Sequence, residues 1–123
     1  MHKALRELLS DDEKNILCNI ELANAFGTTG ALLIAYFARK TESKIGDGNV
    51  VKNGRIWCTE TYEHITQETF SFMSTRTLER AIKKLEDQGV LLSEIFGNYK
   101  MDRTKSYSVD TDRLFEILEK GCE

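Results

Sequence analysis

The stretch Ser74-Thr-Arg-Thr-Leu-Glu-Arg-Ala-Ile-Lys-Lys-Leu-Glu-Asp-Gln-Gly89 contains the start, the body and the end of one helix, and the other predicted elements are placed relative to it. Ser74 is a good N-cap, since its hydroxyl can accept a hydrogen bond from a backbone N–H of the first turn. Gly89 is placed to adopt the left-handed conformation that ends a helix. The stretch therefore predicts a helix from Ser74 to Gln88.

The body of this helix has two faces of different chemistry. Four apolar residues recur at helical spacing and form the face that should meet a core: Leu78, Ala81, Ile82 and Leu85. At about 100° per residue, three cations stand on the opposite side: Arg76, Arg80 and Lys83. The helix thus offers its mainly cationic side to something other than the core.

The size and composition of the chain predict one compact domain. It has 123 residues, of which 41% are hydrophobic and 30% are charged. No run approaches the roughly 18 consecutive apolar residues of a membrane span. The N-terminal residues carry an acid and have no small-residue cleavage site, so they do not read as a signal peptide. We therefore expect a cytoplasmic protein with no membrane partner.

The net charge of −3 speaks against a generic nucleic-acid binder, but the charges are unevenly placed. Acids crowd Asp11-Asp12-Glu13, whereas cations concentrate in the Ser74–Gly89 helix and between Lys100 and Lys105. Because local fields guide partner choice, the acidic balance lowers the expected affinity for DNA without excluding DNA.

The sequence indicates neither an enzyme nor a cofactor or metal site. The cysteines Cys18, Cys58 and Cys122 are scattered and odd in number, which argues against a disulfide framework. Only Cys58 and His64 come close together among the residues that zinc prefers. His64 has no evident nucleophile at a meaningful spacing, and carboxylates such as Glu60 lie at a helix start, where acids are favoured.

The first part of the chain predicts several short elements around one central helix. The predicted segments are a helix at Lys3–Leu9, an extended segment at Asn15–Cys18, a helix at Ile20–Phe26 capped by Asn19 and stopped by Gly27, and a helix starting at Thr28 or Thr29 and covering Gly30–Ala38. Apolar residues cover nearly the whole circumference of the last helix, so it should be buried on most sides.

The middle of the chain predicts a helix-turn-helix. Glu42–Arg55 is rich in turn residues and predicts a long exposed loop, which Ile56–Cys58 follows as a short strand. Thr59 or Thr61 then caps a helix over Tyr62–Glu68. A compact turn, Thr69–Met73, leads into the cationic helix. We predict that Tyr62, Phe70, Phe72 and Met73 pack in the core or the turn, and that Trp57 is a core anchor.

The remaining residues predict a hairpin and a final helix. Val90–Phe96 and Ser106–Val109 predict two strands, and Tyr99–Lys105 is the polar tip between them. With Ile56–Cys58 as a third strand, the fold class is mainly helical with a small antiparallel sheet: a winged helix-turn-helix. An amphipathic helix over Asp110–Lys120, widened by Phe115 and capped by Thr111 or Asp110, packs on its own domain or pairs with a second copy.

The predicted organisation is a single domain, residues 1–123. Residues 1–18 form an N-terminal extension and residues 19–109 the winged-helix core. Residues 110–123 form the C-terminal helix, a candidate dimerisation element.

Four runs resemble the N-terminal winged-helix domain of phage and plasmid replication initiators of Gram-positive bacteria, which are similar to the primosomal protein DnaD. The runs are Trp57–Tyr62, Phe70–Arg80, Lys84–Gly89 and Asn98–Tyr107, and the last contains the narrower signature Asp102-Arg103-Thr104. The resemblance covers about Asn19 to Asp110. It implies sequence-specific binding of double-stranded DNA in replication initiation, with a helicase or helicase loader as further partner.

If such a fold binds duplex DNA, the cationic helix enters the major groove and the hairpin lies along the backbone or minor groove. Arg76 and Arg80 are the candidates for base edges, because a guanidinium pairs bidentately with guanine. The candidates for phosphate contacts are Lys83, Lys84, Lys100, Arg103 and Lys105, together with Ser74 and Thr75 at the helix N-terminus. Tyr99 is placed to pack on a sugar.

Other interpretations remain open at the level of sequence. Arg80 could pair with Asp87 or Glu79, and Lys83 with Glu79 or Glu86, which would make an ordinary solvated face. Arg103 could be structural. The same fold also serves transcriptional regulators, and a winged helix can bind protein without binding DNA.

Overall fold

The computed structural model describes residues 3–11, 15–42, 49–95 and 104–121, and its helices outweigh one small antiparallel sheet. In chain order the elements are α1 Lys3–Ser10, α2 Ile20–Glu42, β1 Asn49–Lys52, β2 Arg55–Thr59, α3 Tyr62–Glu68, α4 Thr75–Asp87, β3 Leu91–Glu94, β4 Ser106–Val109 and α5 Thr111–Gly121. The four strands lie in the order β1-β2-β4-β3. The predicted coarse class, mainly helical with a small antiparallel sheet, is confirmed.

Helix α2 is the centre of the core, as its composition predicts. Asn19 caps it through a 3.0 Å hydrogen bond from the Leu22 backbone N–H to the Asn19 Oδ1. Gly27 interrupts the helix with φ 80° and ψ 164°, a conformation that only glycine adopts without strain. Beyond this kink the helix is buried almost all round, and it packs against β2, β4, α4 and α5.

Helix α2 has the composition of a candidate membrane span, which a count of unbroken apolar runs does not detect. Among the described residues it is the one helix with the length and mean hydropathy of a membrane span, 1.3 over an 18-residue window. Polar residues scattered between apolar ones hide this when only unbroken runs are counted. The kink at Gly27, however, divides α2 into pieces shorter than the roughly 20 residues of a span. A buried core helix passes the same hydropathy test.

The prediction of one long exposed loop over Glu42–Arg55 is wrong for its second half. Asn49–Lys52 forms strand β1, which pairs antiparallel with β2 in a register that sets Lys52 opposite Arg55. Asn53 (φ 55°) and Gly54 (φ 74°) both have the positive φ that a tight two-residue hairpin turn requires. Residues 43–48 lie outside the described part of the chain.

The other three strands were predicted correctly in place and pairing. β2 contains the predicted Ile56–Cys58 and joins β4 with Cys58 opposite Tyr107. β4 has its predicted bounds, and β3 pairs with it, Leu91 opposite Val109. The predicted strand Val90–Phe96 is shorter in the structure, Leu91–Glu94. Trp57 is buried and donates from Nε1 to the Lys52 carbonyl at 3.0 Å, so its role as a core anchor is confirmed.

The chain ends differ from the sequence predictions in two details. Asn15–Cys18 forms no strand; instead the Asn15 Nδ2 donates to the Leu9 carbonyl at 3.0 Å, at the end of α1. Helix α5 is capped by Asp110, whose Oδ1 accepts from the Arg113 N–H at 3.1 Å. Phe115 does not widen its buried face but is 58% exposed.

Candidate nucleic-acid interface

Two capped helices and a short turn build the candidate interface. The Thr61 side chain accepts from the His64 N–H at 3.1 Å and begins α3. The Ser74 hydroxyl accepts from the Thr77 N–H at 3.1 Å and begins α4. Between them the Met73 N–H bonds the Phe70 carbonyl at 3.0 Å, which closes the turn. The predicted caps of these two helices are confirmed, and so is the predicted order of helix, turn and helix.

The end of α4 is fixed by the predicted glycine and by an unpredicted arginine. Gly89 has φ 78° and follows the C-cap residue Gln88. The Arg113 Nε of α5 donates to the Gln88 carbonyl at 3.0 Å, so a free carbonyl at the helix end gains a partner. Since α5 also packs on α2, the C-terminal end of α4 is tied to the core helix.

The two faces of α4 are as the periodicity predicts. Leu78, Ile82 and Leu85 are buried. Four cations are exposed on the remaining circumference: Arg76, Arg80, Lys83 and Lys84. None of these four forms a hydrogen bond or ion pair with another described residue, so the alternative pairings with Glu79, Glu86 and Asp87 do not form. Their charges face solvent and are available to a partner.

The N-terminus of α4 presents hydroxyls beside these cations. Ser74 and Thr75 are both exposed, and their role as phosphate contacts stays a prediction. The Ser74 hydroxyl also donates to the Thr77 Oγ1 at 3.0 Å. This end of the helix carries unpaired backbone N–H groups and the positive end of the helix dipole.

Of the four residues of the hairpin that are predicted to contact DNA, the structure describes only Lys105. Lys105 lies just before β4, and its Nζ is 4.0 Å from the Glu86 Oε1 of α4. This ion pair joins the base of the hairpin to the helix, so the Lys105 charge is partly neutralised within the domain. Tyr99, Lys100 and Arg103 lie outside the described residues.

Phe72 differs from its sequence prediction. Phe70 is fully buried, and Tyr62 and Met73 are half-buried against the core. Phe72 is instead 63% exposed, because the turn directs it away from the core. Its ring keeps contact with the buried ring of Phe70, at 5.8 Å between centroids.

A second cluster, which sequence reasoning missed, lies along α3. Glu60, His64 and Glu68 follow at intervals of four residues and place one ligand atom each within 4.8 Å of one another. Glu60 is buried and contacts the His64 Nδ1 through Oε2. The spacing of these three residues is a signal that the sequence contains, although the position of Glu60 near a helix start explains an acid there without a cluster.

The side chains of this cluster already have partners within the domain, which argues against a metal there. Lys40 of α2 donates to the Glu68 Oε1 at 2.6 Å, and the Tyr36 hydroxyl lies 3.3 Å from the Glu68 Oε2. The hydrogen bond to Glu60 and the charge of Glu60 raise the pKa of His64. Partial burial would raise the pKa of Glu68, but the hydrogen bond and charge of Lys40 lower it. Lys40 and His64 therefore already engage the two carboxylates within the domain.

The described cysteines do not resemble a nucleophilic site. Cys18 is exposed and forms no disulfide with another described residue. Burial, followed by the charge of Glu60, raises the pKa of Cys58 to about 12, so its thiol stays protonated near neutral pH.

Comparisons with protein-family models, with curated proteins and with solved structures found no match for this chain.

Proposed function

We propose that this chain is a winged helix-turn-helix domain that binds double-stranded DNA, with α4 as the recognition helix in the major groove. The observation that carries the proposal is the exposed face of α4, where four cations have no partner among the described residues. A protein that neutralises DNA phosphates needs such uncommitted cations.

The topology supports the proposal in a second way. A supporting helix and a turn precede α4, and the hairpin β3–β4 follows it. β2 adds a third strand to that hairpin. This is the order of elements that places a recognition helix and a wing on one side of a small domain. The groups proposed for base edges remain Arg76 and Arg80, and Lys83, Lys84, Ser74 and Thr75 contact phosphates.

Replication initiation is the process we propose, on the resemblance to the winged-helix domain of phage and plasmid initiators. A helicase or helicase loader, and a second copy of the chain, are the protein partners that go with it, and the cytoplasm is the compartment. Transcriptional regulation by the same fold predicts the same DNA-binding behaviour. The two are separated by whether the preferred duplex lies at a replication origin or at a promoter.

The second candidate function is a protein-interaction module without DNA binding. The net charge of −3 favours it. So do exposed apolar side chains outside α4, such as Leu8 and Leu9 of α1. Such a module would bind duplex DNA weakly and without sequence preference.

The deciding experiment is duplex binding measured by fluorescence anisotropy as salt is raised. Preferred sequences are first selected from a random pool of duplexes. We expect log affinity to fall linearly with log salt, with a slope near −0.9 for each phosphate neutralised. The double variant Arg76→Ala/Arg80→Ala should bind selected and unselected duplexes equally, since the base contacts are gone.

A matched control removes two cations away from α4. Arg6→Ala/Lys52→Ala changes the net charge by the same amount at exposed residues of α1 and β1. It should keep the preference for the selected duplex. If the native chain binds no duplex at low salt, or if the control loses as much preference as the Arg76/Arg80 variant, the DNA-binding proposal is wrong.

A further inference from the structure

The most exposed aromatic side chain outside any helix or strand lies directly before the recognition helix, among the residues that the structure describes. Phe72 is 63% exposed and sits two residues before the cap Ser74. Its ring rests on Phe70, which in turn meets the ring of Tyr36 at 5.5 Å. One edge of Phe72 is thus supported by the core while the rest of the ring faces solvent. A supported ring loses little conformational freedom when a partner covers it.

The sequence immediately around Phe72 is rich in hydroxyl groups and contains no acid. Between residues 69 and 77 the sequence has no carboxylate, and it carries one cation, Arg76. Five hydroxyl side chains share this short stretch: Thr69, Ser71, Ser74, Thr75 and Thr77. Hydroxyls and a helix N-terminus are typical ligands of phosphate oxygens. A protein-docking patch would instead group several apolar side chains together.

We propose that Phe72 is the apolar contact of this domain with duplex DNA. The ring packs on the apolar surface of one nucleotide, either the deoxyribose carbons or the C5-methyl group of thymine, at the edge of the groove that α4 enters. This inference rests on the proposed function and deepens it. It adds a contact that is independent of charge to a surface whose other contacts are hydroxyls and cations.

The test compares Phe72→Ala and Phe72→Leu with the native chain on the selected duplex. We expect Phe72→Ala to bind about five- to tenfold more weakly, and Phe72→Leu to lose less, because it keeps part of the apolar area. The slope of log affinity against log salt should stay unchanged, because no phosphate contact is lost. Leu17→Ala is the matched control, since Leu17, which lies before α2 and outside the proposed contact surface, is an exposed apolar side chain, at 81%; it should bind as the native chain does.

A second arm identifies the apolar surface. The thymines of the selected duplex are replaced by uracil, which removes only the methyl groups. If the native chain loses affinity and Phe72→Ala does not, the ring contacts a methyl group; if neither changes, it contacts deoxyribose. Thermal unfolding of each variant checks that the fold is kept.

The inference is overturned if Phe72→Ala stays within about twofold of the native affinity, or if Leu17→Ala weakens binding equally. Both outcomes leave the proposed function standing, provided that Arg76→Ala/Arg80→Ala still abolishes sequence preference. Failure of the native chain to bind any duplex is a different result, because it removes the proposed function and this contact together.

Discussion

Among single residues, His64 shows most clearly how environment sets charge. Its ring contacts Glu60 through Nδ1, and its Nε2 lies 3.7 Å from the Glu68 Oε2. After these two carboxylates, Lys40 is the third charged group near His64, and it opposes protonation of the ring. The net effect is a pKa of His64 above its ordinary value.

The raised pKa predicts a stability that depends on pH. A cationic group whose pKa is higher in the folded state stabilises the fold fully below the unfolded pKa of about 6.5, and this contribution disappears as pH rises through the folded pKa. We expect the melting temperature of the native chain, relative to that of His64→Gln, to fall as the pH rises from about 6.5 through the folded pKa of His64. Melting curves between about pH 5 and pH 9 measure it.

His2, the other histidine of the chain, supplies the control for this effect. His2→Gln should follow the native pH profile. Parallel profiles of the native chain and His64→Gln would show that Glu60 and Glu68 do not hold the charge of His64.

At the scale of elements, what the sequence predicted depended on local signals. The caps Ser74 and Asn19 and the terminator Gly89 act within one turn of the chain, so each could be found from neighbouring residues. The helical spacing of its apolar residues likewise predicts the two faces of α4, and with them the exposed positions of Arg76 and Arg80.

The errors arose where contacts come from distant parts of the chain. The partners of Glu68 include Lys40 of α2, which no local pattern connects to α3. The exposure of Phe72 depends on how the turn packs on the core, whereas its apolar character alone predicted burial. Strand β1 differs from these cases because its signal is local. Asn53-Gly54 is typical of a two-residue turn between paired strands.

Ser74 allows capping and DNA contact to be separated at the start of α4. Ser74→Ala removes the acceptor for the Thr77 N–H, which should destabilise the fold by about 1 kcal/mol. Ser74→Asp restores the acceptor and places a negative charge at the helix N-terminus, where the dipole favours it. We expect its stability to equal or exceed that of the native chain, while its affinity for duplex falls, since the new carboxylate repels phosphate.

Urea unfolding and fluorescence anisotropy measure these two effects separately. Asn53→Asp is the control, because it adds the same charge at an exposed hairpin turn and aspartate tolerates the φ of 55° there. It should leave duplex affinity nearly unchanged. If Ser74→Asp binds duplex as tightly as the native chain, the N-terminus of α4 does not face phosphate.

For the whole molecule, the central fact is that an acidic chain carries a cationic surface on α4. The net charge is −3, yet α4 alone carries four cations on its solvent side. The core around α2 fixes this arrangement, because α4 packs on α2, and its Leu78, Ile82 and Leu85 are buried in the core. The helix therefore cannot turn its cations elsewhere. A negative total charge therefore weakens the long-range attraction of DNA without removing the local site.

This division between total and local charge predicts that the position of an acid matters more than its number. Asp87 is exposed on α4, beside the proposed contact surface, whereas Glu119 is exposed on α5. Asp87→Asn and Glu119→Gln raise the net charge equally, but only the first removes a repulsion close to the bound phosphates. We expect Asp87→Asn to tighten duplex binding about twofold at low salt, with the gain fading as salt shortens the range of the interaction, and Glu119→Gln to change little. Anisotropy titrations at two salt concentrations measure both; equal gains for the two variants would mean that total charge, and not the surface of α4, controls binding.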